Sequence, residues 1–207
     1  MTDVSVVAAA VGGAPPGSTR RPASFLESSG EMARLIRDFD WSKGPLGPIE
    51  GWPQSLRTVV RLLLNSHHPM YVFWGPDHIC LWNDAYTASI GPERHPVSLG
   101  RPGKEVWCEI WEIIGPQIDH VMAGRGATWN VNQLVPITRH GRRDEVYWTY
   151  GYSPIDDDAS PDGVGGVLVV CNETTDQVMA ERRLAEQALT RGEERDRLAR
   201  LFEQAPS

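Results

Sequence analysis

The segment that most constrains this chain is the junction near its C-terminus. There the apolar run Gly165 to Cys171 passes through Asn172-Glu173-Thr174-Thr175 into a charged stretch with no proline as far as Phe202. β-Branched residues bounded by glycine read as a strand and a long run of helix formers reads as a helix, so a sheet and a rod are joined without a linker. A second hairpin stands far upstream: Met70 to Trp74 and His78 to Trp82 flank the turn Gly75-Pro76-Asp77, after Pro69 has ended the preceding helix. Asn83-Asp84 then caps a short helix that runs to Ile90 and stops at Gly91-Pro92.

Between the two strand groups lies a helical block. Val106, Trp107, Ile110, Trp111, Ile114, Ile118, Val121 and Met122 recur at helical spacing, and Gly115-Pro116 interrupts them, which predicts two helices in series. Three strands are expected next: Thr128 to Ile137, Glu145 to Ser153 after a turn at His140-Gly141, and Val164 to Cys171. The middle one alternates Val146, Trp148, Tyr150 and Tyr152 with other residues, consistent with one buried face. Upstream, Ser28-x-x-Glu31 has the form of a capping box before Met32, Leu35, Ile36 and Phe39. Pro53 suits a first helical position, and Leu56, Val59, Val60, Leu63 and Leu64 place one apolar stripe on the helix that follows. Strands grouped at both ends of a helical block exclude a doubly wound parallel sheet. The expectation is α+β, an antiparallel sheet with helices across one face.

At 207 residues the chain holds one core with flanking segments. Residues 1–27, rich in Ala, Gly, Pro and Ser, read as a disordered tail. A net charge of -7 argues against nucleic acid as a partner. The three cysteines, Cys80, Cys108 and Cys171, form no C-x-x-C pair and are odd in number, so they read as reduced, mostly buried and cytoplasmic. Val4 to Val11 follows Asp3 with no Lys or Arg before it, unlike a signal peptide, and Arg57 and Arg61 interrupt the most apolar helix, so no membrane span is expected. His67, His68 and His78 lack metal-ligand spacing, and Asp156-Asp157-Asp158 reads as a solvated loop. No nucleophile elbow, P-loop or dinucleotide fingerprint is present, so neither a catalytic nor a metal site is assigned.

Several short motifs occur in one order between about residues 30 and 184. They begin with Phe39-Asp40-Trp41-Ser42, Pro45-Leu46-Gly47-Pro48 and Gly51-Trp52-Pro53-Gln54-Ser55-Leu56. Trp82-Asn83-Asp84-Ala85-Tyr86, Gly100-Arg101-Pro102, Trp107-x-x-Ile110-Trp111, Tyr152-Ser153-Pro154-Ile155 and Asn172-Glu173-Thr174-Thr175 follow. In this order they resemble the PAS domain family, most closely the N-terminal PAS sensors of bacterial multi-sensor histidine kinases. The resemblance implies a five-stranded antiparallel sheet with helices on one face and a space that can hold a ligand. It also implies that Glu173, Thr174 and Thr175 form the signal relay into the output helix, with Glu where the family more often has Asp. The implied division is N-terminal flanking helices over 28–66, a PAS domain over 67–175 and a signalling helix over 176–202, with kinase or further PAS domains linked downstream. Leu201 to Ser207 resembles the opening of a second PAS domain, with residues 203–207 as its start; a helix end stopped by Pro206 is the alternative.

The aromatic cluster is the candidate ligand pocket: Tyr71, Phe73, Leu81, Trp107, Ile110, Trp111, Ile114, Trp129, Trp148 and Tyr150. A filled core or small dry cavity uses the same residues and is the expected state. Haem-binding relatives carry an iron ligand near His120, but here His120 falls opposite Ile114, Ile118, Val121 and Met122 and should face solvent. Light-sensing relatives carry a reactive cysteine near Cys108 followed by polar residues, whereas Glu109-Ile110-Trp111-Glu112 stands here, so Cys108 reads as a semi-buried structural thiol. No cofactor is assigned. Leu184, Ala188, Leu198 and Phe202 form a seam broken by Arg191 and Arg195, which predicts a weak coiled coil and a homodimer through the flanking helices, a single solvated helix being the alternative. The function expected is a non-catalytic sensor relaying a pocket change to the C-terminal helix; the alternative is a ligand-free dimerisation module.

Overall fold

The computed structural model describes residues 24–203. Most of the tail expected over residues 1–27 lies outside them, but residues 24–27 belong to the folded part: the 3-10 turn Ser24–Leu26 buries Phe25 and Leu26 in the core. Helix α1 (Glu31–Asp38) follows, with Met32, Ala33 and Ile36 fully buried. The expected capping box does not form. Gly30 holds the N-cap position, the Met32 N–H donates to Asp84 Oδ1 at 2.8 Å, and the Ser28 hydroxyl donates to the Leu64 carbonyl. The cap therefore comes from a distant part of the chain, and a Cβ at Gly30 would lie 1.9 Å from Asp84 Oδ2. Helix α2 (Gln54–Leu64) buries the whole predicted stripe of Leu56, Val59, Val60, Leu63 and Leu64. Each such side chain stabilises the packed state by about 1.5–3 kcal/mol when fully buried.

The first hairpin is β1 (Met70–Trp74) and β2 (Ile79–Trp82), followed by α3 (Asp84–Ile90), whose N-cap Asn83 accepts from the Tyr86 N–H. The helical block contains α4 (Gly103–Val106) and α5 (Trp111–Met122). Its break falls at Trp107 to Ile110, and Pro116 lies inside α5. Pro116 is exposed near the start of α5, so the Glu112 carbonyl it leaves without a helical donor is on an exposed residue that water can reach. β3 (Thr128–Leu134) is shorter than the expected strand, because Pro136 has no N–H to continue the ladder. The chain leaves the sheet there and forms a separate hairpin, β4 (Ile137–Arg139) and β5 (Arg142–Asp144), around the expected turn. His140 and Gly141 both have positive φ, 53° and 72°, as a two-residue turn matched to strand twist requires. The chain returns as β6 (Tyr147–Asp156), β7 (Val164–Glu173) and α6 (Thr175–Glu203).

Five strands make one antiparallel sheet in the order β2-β1-β7-β6-β3, the α+β architecture that the resemblance implied. The last strand is the central one. It pairs with both β1 and β6, so the element that leads into α6 is held on both sides. Alternation assigns the faces: Tyr71, Phe73, Trp82, Val169, Cys171, Tyr150 and Tyr152 share the face under α3 to α5 through their cross-strand pairings. The opposite face carries Val72, Leu81, Trp74 and Ile79, and the flanking segment covers it. α2 packs on β1, β2, β6 and β7, and Pro45, Leu46 and Pro53 gather round Trp74 and Ile79.

Only Thr174 separates β7 from α6. Its N–H donates to the Tyr147 carbonyl at 2.8 Å, the Tyr147 N–H donates to Thr175 Oγ1 at 3.0 Å, and the Arg182 guanidinium lies 5.0 Å above the Tyr147 ring. Beyond that anchor the helix stands clear of the domain, with Leu184 and Leu198 exposed. The Phe202 side chain and residues 204–207, on which the coiled-coil seam and the second-domain reading partly rest, lie outside the described residues.

Candidate functional site

A cavity of ≈ 50 Å³ lies between the sheet and the helical block. Its floor is Tyr71 and Phe73 of β1, Trp148, Tyr150 and Tyr152 of β6, and Val169 and Cys171 of β7. Its roof is Trp107, Ile110 and Ile114, and Tyr86, Val135 and Ile137 complete the wall. This volume holds a few waters or a molecule of few heavy atoms. A haem or a flavin does not fit it as it stands, and His120 lies outside its wall.

Seven of the ten expected pocket residues line the cavity: Tyr71, Phe73, Trp107, Ile110, Ile114, Trp148 and Tyr150. Leu81 does not, because it pairs with Val72 and both point to the other face, where Leu81 is fully buried. Trp111 stands outside the wall at the first turn of α5, its ring edge-on to Phe73 at 6.5 Å. Trp129 is 67% exposed on the opposite face of the edge strand β3, with its ring laid on Gly151, where a Cβ would come within 2.9 Å. Among the residues missed, Tyr152, Val169 and Cys171 follow from the two-residue period of their strands. Tyr86, Val135 and Ile137 carried no signal, since a helix of seven residues and a short hairpin take their orientation from what they pack against.

No charged side chain lines the cavity. Burial raises the pKa of Tyr71, Tyr86 and Tyr152 well above the ordinary phenol range, so all three stay neutral at physiological pH. The Tyr71 hydroxyl accepts from Trp107 Nε1 at 3.1 Å. The β3 end of the space is closed by amides: Gln117 Nε2 donates to the Tyr150 hydroxyl at 2.9 Å, that hydroxyl donates to Gln133 Oε1 at 2.6 Å, and Asn130 Nδ2 donates to Gln117 Oε1 at 2.6 Å. Burial pushes the thiols of Cys80 and Cys171 up to about 12, and both are unreactive as thiols in the folded state. Cys108, expected to be semi-buried, is exposed because it falls in the break between α4 and α5. Titrating native protein with a thiol reagent should therefore consume Cys108 quickly and the other two only on unfolding. Two fast thiols would show that the sheet opens under native conditions.

Two ion-pair clusters tie the cavity wall to the C-terminal helix. In the first, Arg94 pairs with Glu109, donates to the Val106 and Thr138 carbonyls, and lies 4.7 Å above the Trp107 ring. Glu109 in turn accepts from the Thr138 N–H and hydroxyl at 2.8 and 2.6 Å. In the second, Arg139 grips both oxygens of Glu173 at 2.8 and 2.9 Å and also donates to Asp144 at 3.1 Å. Thr175 Oγ1 donates to Glu173 Oε1 at 3.1 Å, closing the link to the first residue of α6. Of the three residues the resemblance marked as a relay, Glu173 and Thr175 sit in this cluster through their side chains. Thr174 contributes its backbone, and its buried hydroxyl has no partner among the described residues.

Among the described residues no group of three His, Cys, Asp or Glu is placed to hold a metal ion, and no helix is long and apolar enough to cross a membrane. No protein-family model and no curated protein matches the chain. Solved structures similar to it include PAS domains. The PAS domain of BvgS from Bordetella pertussis is 18% identical, over 67% of this chain and 99% of that one, with a TM-score of 0.46. A PAS domain from Colwellia psychrerythraea is 12% identical over 58% and 98% of the two chains, with a TM-score of 0.43. A sensory box sensor histidine kinase from Vibrio cholerae is 14% identical over 58% and 92%, with a TM-score of 0.41.

Proposed function

We propose that the chain is a sensory PAS module of a bacterial signal-transduction protein, cytoplasmic and linked to a histidine kinase output, and that it acts without catalysis. The observation that carries this reading is β4. Its three consecutive residues do three different jobs: Ile137 closes the cavity, Thr138 holds Glu109, and Arg139 grips Glu173 at the foot of α6. A change in what fills the cavity moves Ile137, and the bidentate pair passes that displacement to the helix, because a two-point contact resists rotation. Two arrangements of the helix a few kcal/mol apart suffice for a stimulus to switch them.

Hydrogen exchange of the α6 amides tests the relay. Ile137→Ala, which enlarges the cavity, is expected to change exchange over the first two turns of α6 at least threefold, and the same substitution in a Glu173→Gln background is expected to leave it unchanged. If α6 ignores Ile137→Ala in the otherwise unmodified protein, the relay is wrong.

A second reading, a ligand-free homodimerisation module, draws on a different observation. Trp129 and Leu134 of β3 lie on the sheet face opposite the cavity, Val131 is exposed beside them, and Leu184, Leu189 and Leu198 are exposed on α6. Native mass spectrometry of protein taken from cells separates the two, since a retained small molecule supports the sensor and a bare dimer supports the module.

A further inference from the structure

The cavity wall holds hydrogen-bond donors that the protein leaves unused. The Tyr150 hydroxyl donates to Gln133 Oε1 and accepts from Gln117 Nε2, and the Tyr71 hydroxyl accepts from Trp107 Nε1. Those of Tyr86 and Tyr152 have no hydrogen-bond partner among the described residues. Both residues line the one cavity with Cys171, which sits on the strand paired with that of Tyr152 and whose thiol is itself a donor and not a strong acceptor. A buried donor without an acceptor is costly, and a guest that brings one relieves the cost.

We propose that the cavity takes a small uncharged molecule with one hydrogen-bond acceptor, such as a short ketone, seated with its oxygen on the Tyr86 and Tyr152 hydroxyls. Size, charge and polarity each narrow the class. A volume of ≈ 50 Å³ is well below the roughly 150 Å³ that admits benzene, so the guest has few heavy atoms. With no charged side chain in the wall, a carboxylate or an ammonium would lose its hydration without gaining a partner. A pure hydrocarbon would leave both phenol donors unpaired.

This class rests on the sensory reading, and the test separates the two. Acetone, its hydrocarbon isostere in which a methylene replaces the oxygen, and acetate are titrated against the full chain, read by the emission of the cavity tryptophans. Saturable binding of acetone is expected, at least tenfold tighter than the other two. A Tyr86→Phe, Tyr152→Phe double variant should lose that preference, roughly tenfold for one hydrogen bond at the upper end of its usual worth, while still binding the hydrocarbon, which shows that it folds. Absence of acetone binding, equal binding of the hydrocarbon, or an unchanged double variant overturns the proposal. If acetone binds but the α6 amides do not respond, the ligand class stands and the relay fails. If Ile137→Ala moves α6 but acetone does not bind, the relay stands and the class fails.

Discussion

Asn83→Ala is expected to destabilise the domain by about 3–5 kcal/mol, a large share of the stability of a domain this size. Asn83 is 1% exposed and its side chain serves four backbone groups. Oδ1 accepts from the Met70 and Tyr86 N–H groups at 3.0 and 3.1 Å, and Nδ2 donates to the Ser66 and His68 carbonyls at 3.1 and 2.7 Å. It thus fixes the entry to β1, the exit from β2 and the start of α3 at one point. Truncation strands the Met70 N–H and the Ser66 carbonyl, whereas Tyr86 keeps a bond to the Asn83 carbonyl at 3.0 Å and the His68 carbonyl keeps the Ser66 hydroxyl at 3.5 Å. Asn83→Asp retains the acceptor but sets a carboxylate against two carbonyl oxygens, so it should do little better. Urea unfolding checks both variants, and a loss below about 1 kcal/mol would show that water replaces the amide.

The Arg94 cluster should give the next largest effect. Arg94→Met removes bonds to Glu109 and to the Val106 and Thr138 carbonyls, and it removes the cation above Trp107. The pair is mostly buried, with side chains 12% and 18% exposed, so stranding Glu109 is expected to cost about 2–4 kcal/mol at neutral pH. The pH dependence has a definite sign. Burial alone would push the Glu109 carboxyl up, but the bonds from Thr138 and the charge of Arg94 outweigh it and hold the carboxyl below its ordinary range. A carboxylate with a depressed folded pKa contributes stability above its unfolded pKa and loses it as pH falls through the folded value. The gap between wild type and Arg94→Met should therefore narrow as pH falls from 7 through the depressed folded-state pKa of Glu109, below which the carboxyl is protonated in either state. A constant gap would mean that Arg94 acts through packing on Trp107 and the two carbonyls alone.

Local chemistry made much of the molecule legible. The α2 stripe, the Gly75-Pro76-Asp77 and His140-Gly141 turns, the Asn83 cap and the strand-to-helix junction all lie where the residues put them. The misreadings share a cause. Gly115-Pro116 looks like a helix break, yet one missing N–H on the exposed side of a second helical turn is tolerated when the flanking apolar residues are buried. Leu81 and Tyr71 look equivalent because β1 and β2 are apolar on both faces, so alternation cannot tell cavity from outer packing. Trp129 reads as core by residue type, but it lies on the edge strand where no helix covers it. Arg94, Glu109, Thr138 and Arg139 were invisible as a bridge because their partners are 15 to 44 positions away in the chain.

From the residues alone follow the order of the longer helices and of the five sheet strands, though not the separate β4–β5 hairpin, because turn chemistry and apolar period act within a few positions, and so does the direct passage of the last strand into the helix. Tertiary structure decided which face each side chain meets, how much space is left among the aromatics, and that Arg139 reaches Glu173. Those outcomes depend on the summed shapes of segments far apart in sequence, and close packing couples them so tightly that no single stretch carries the answer.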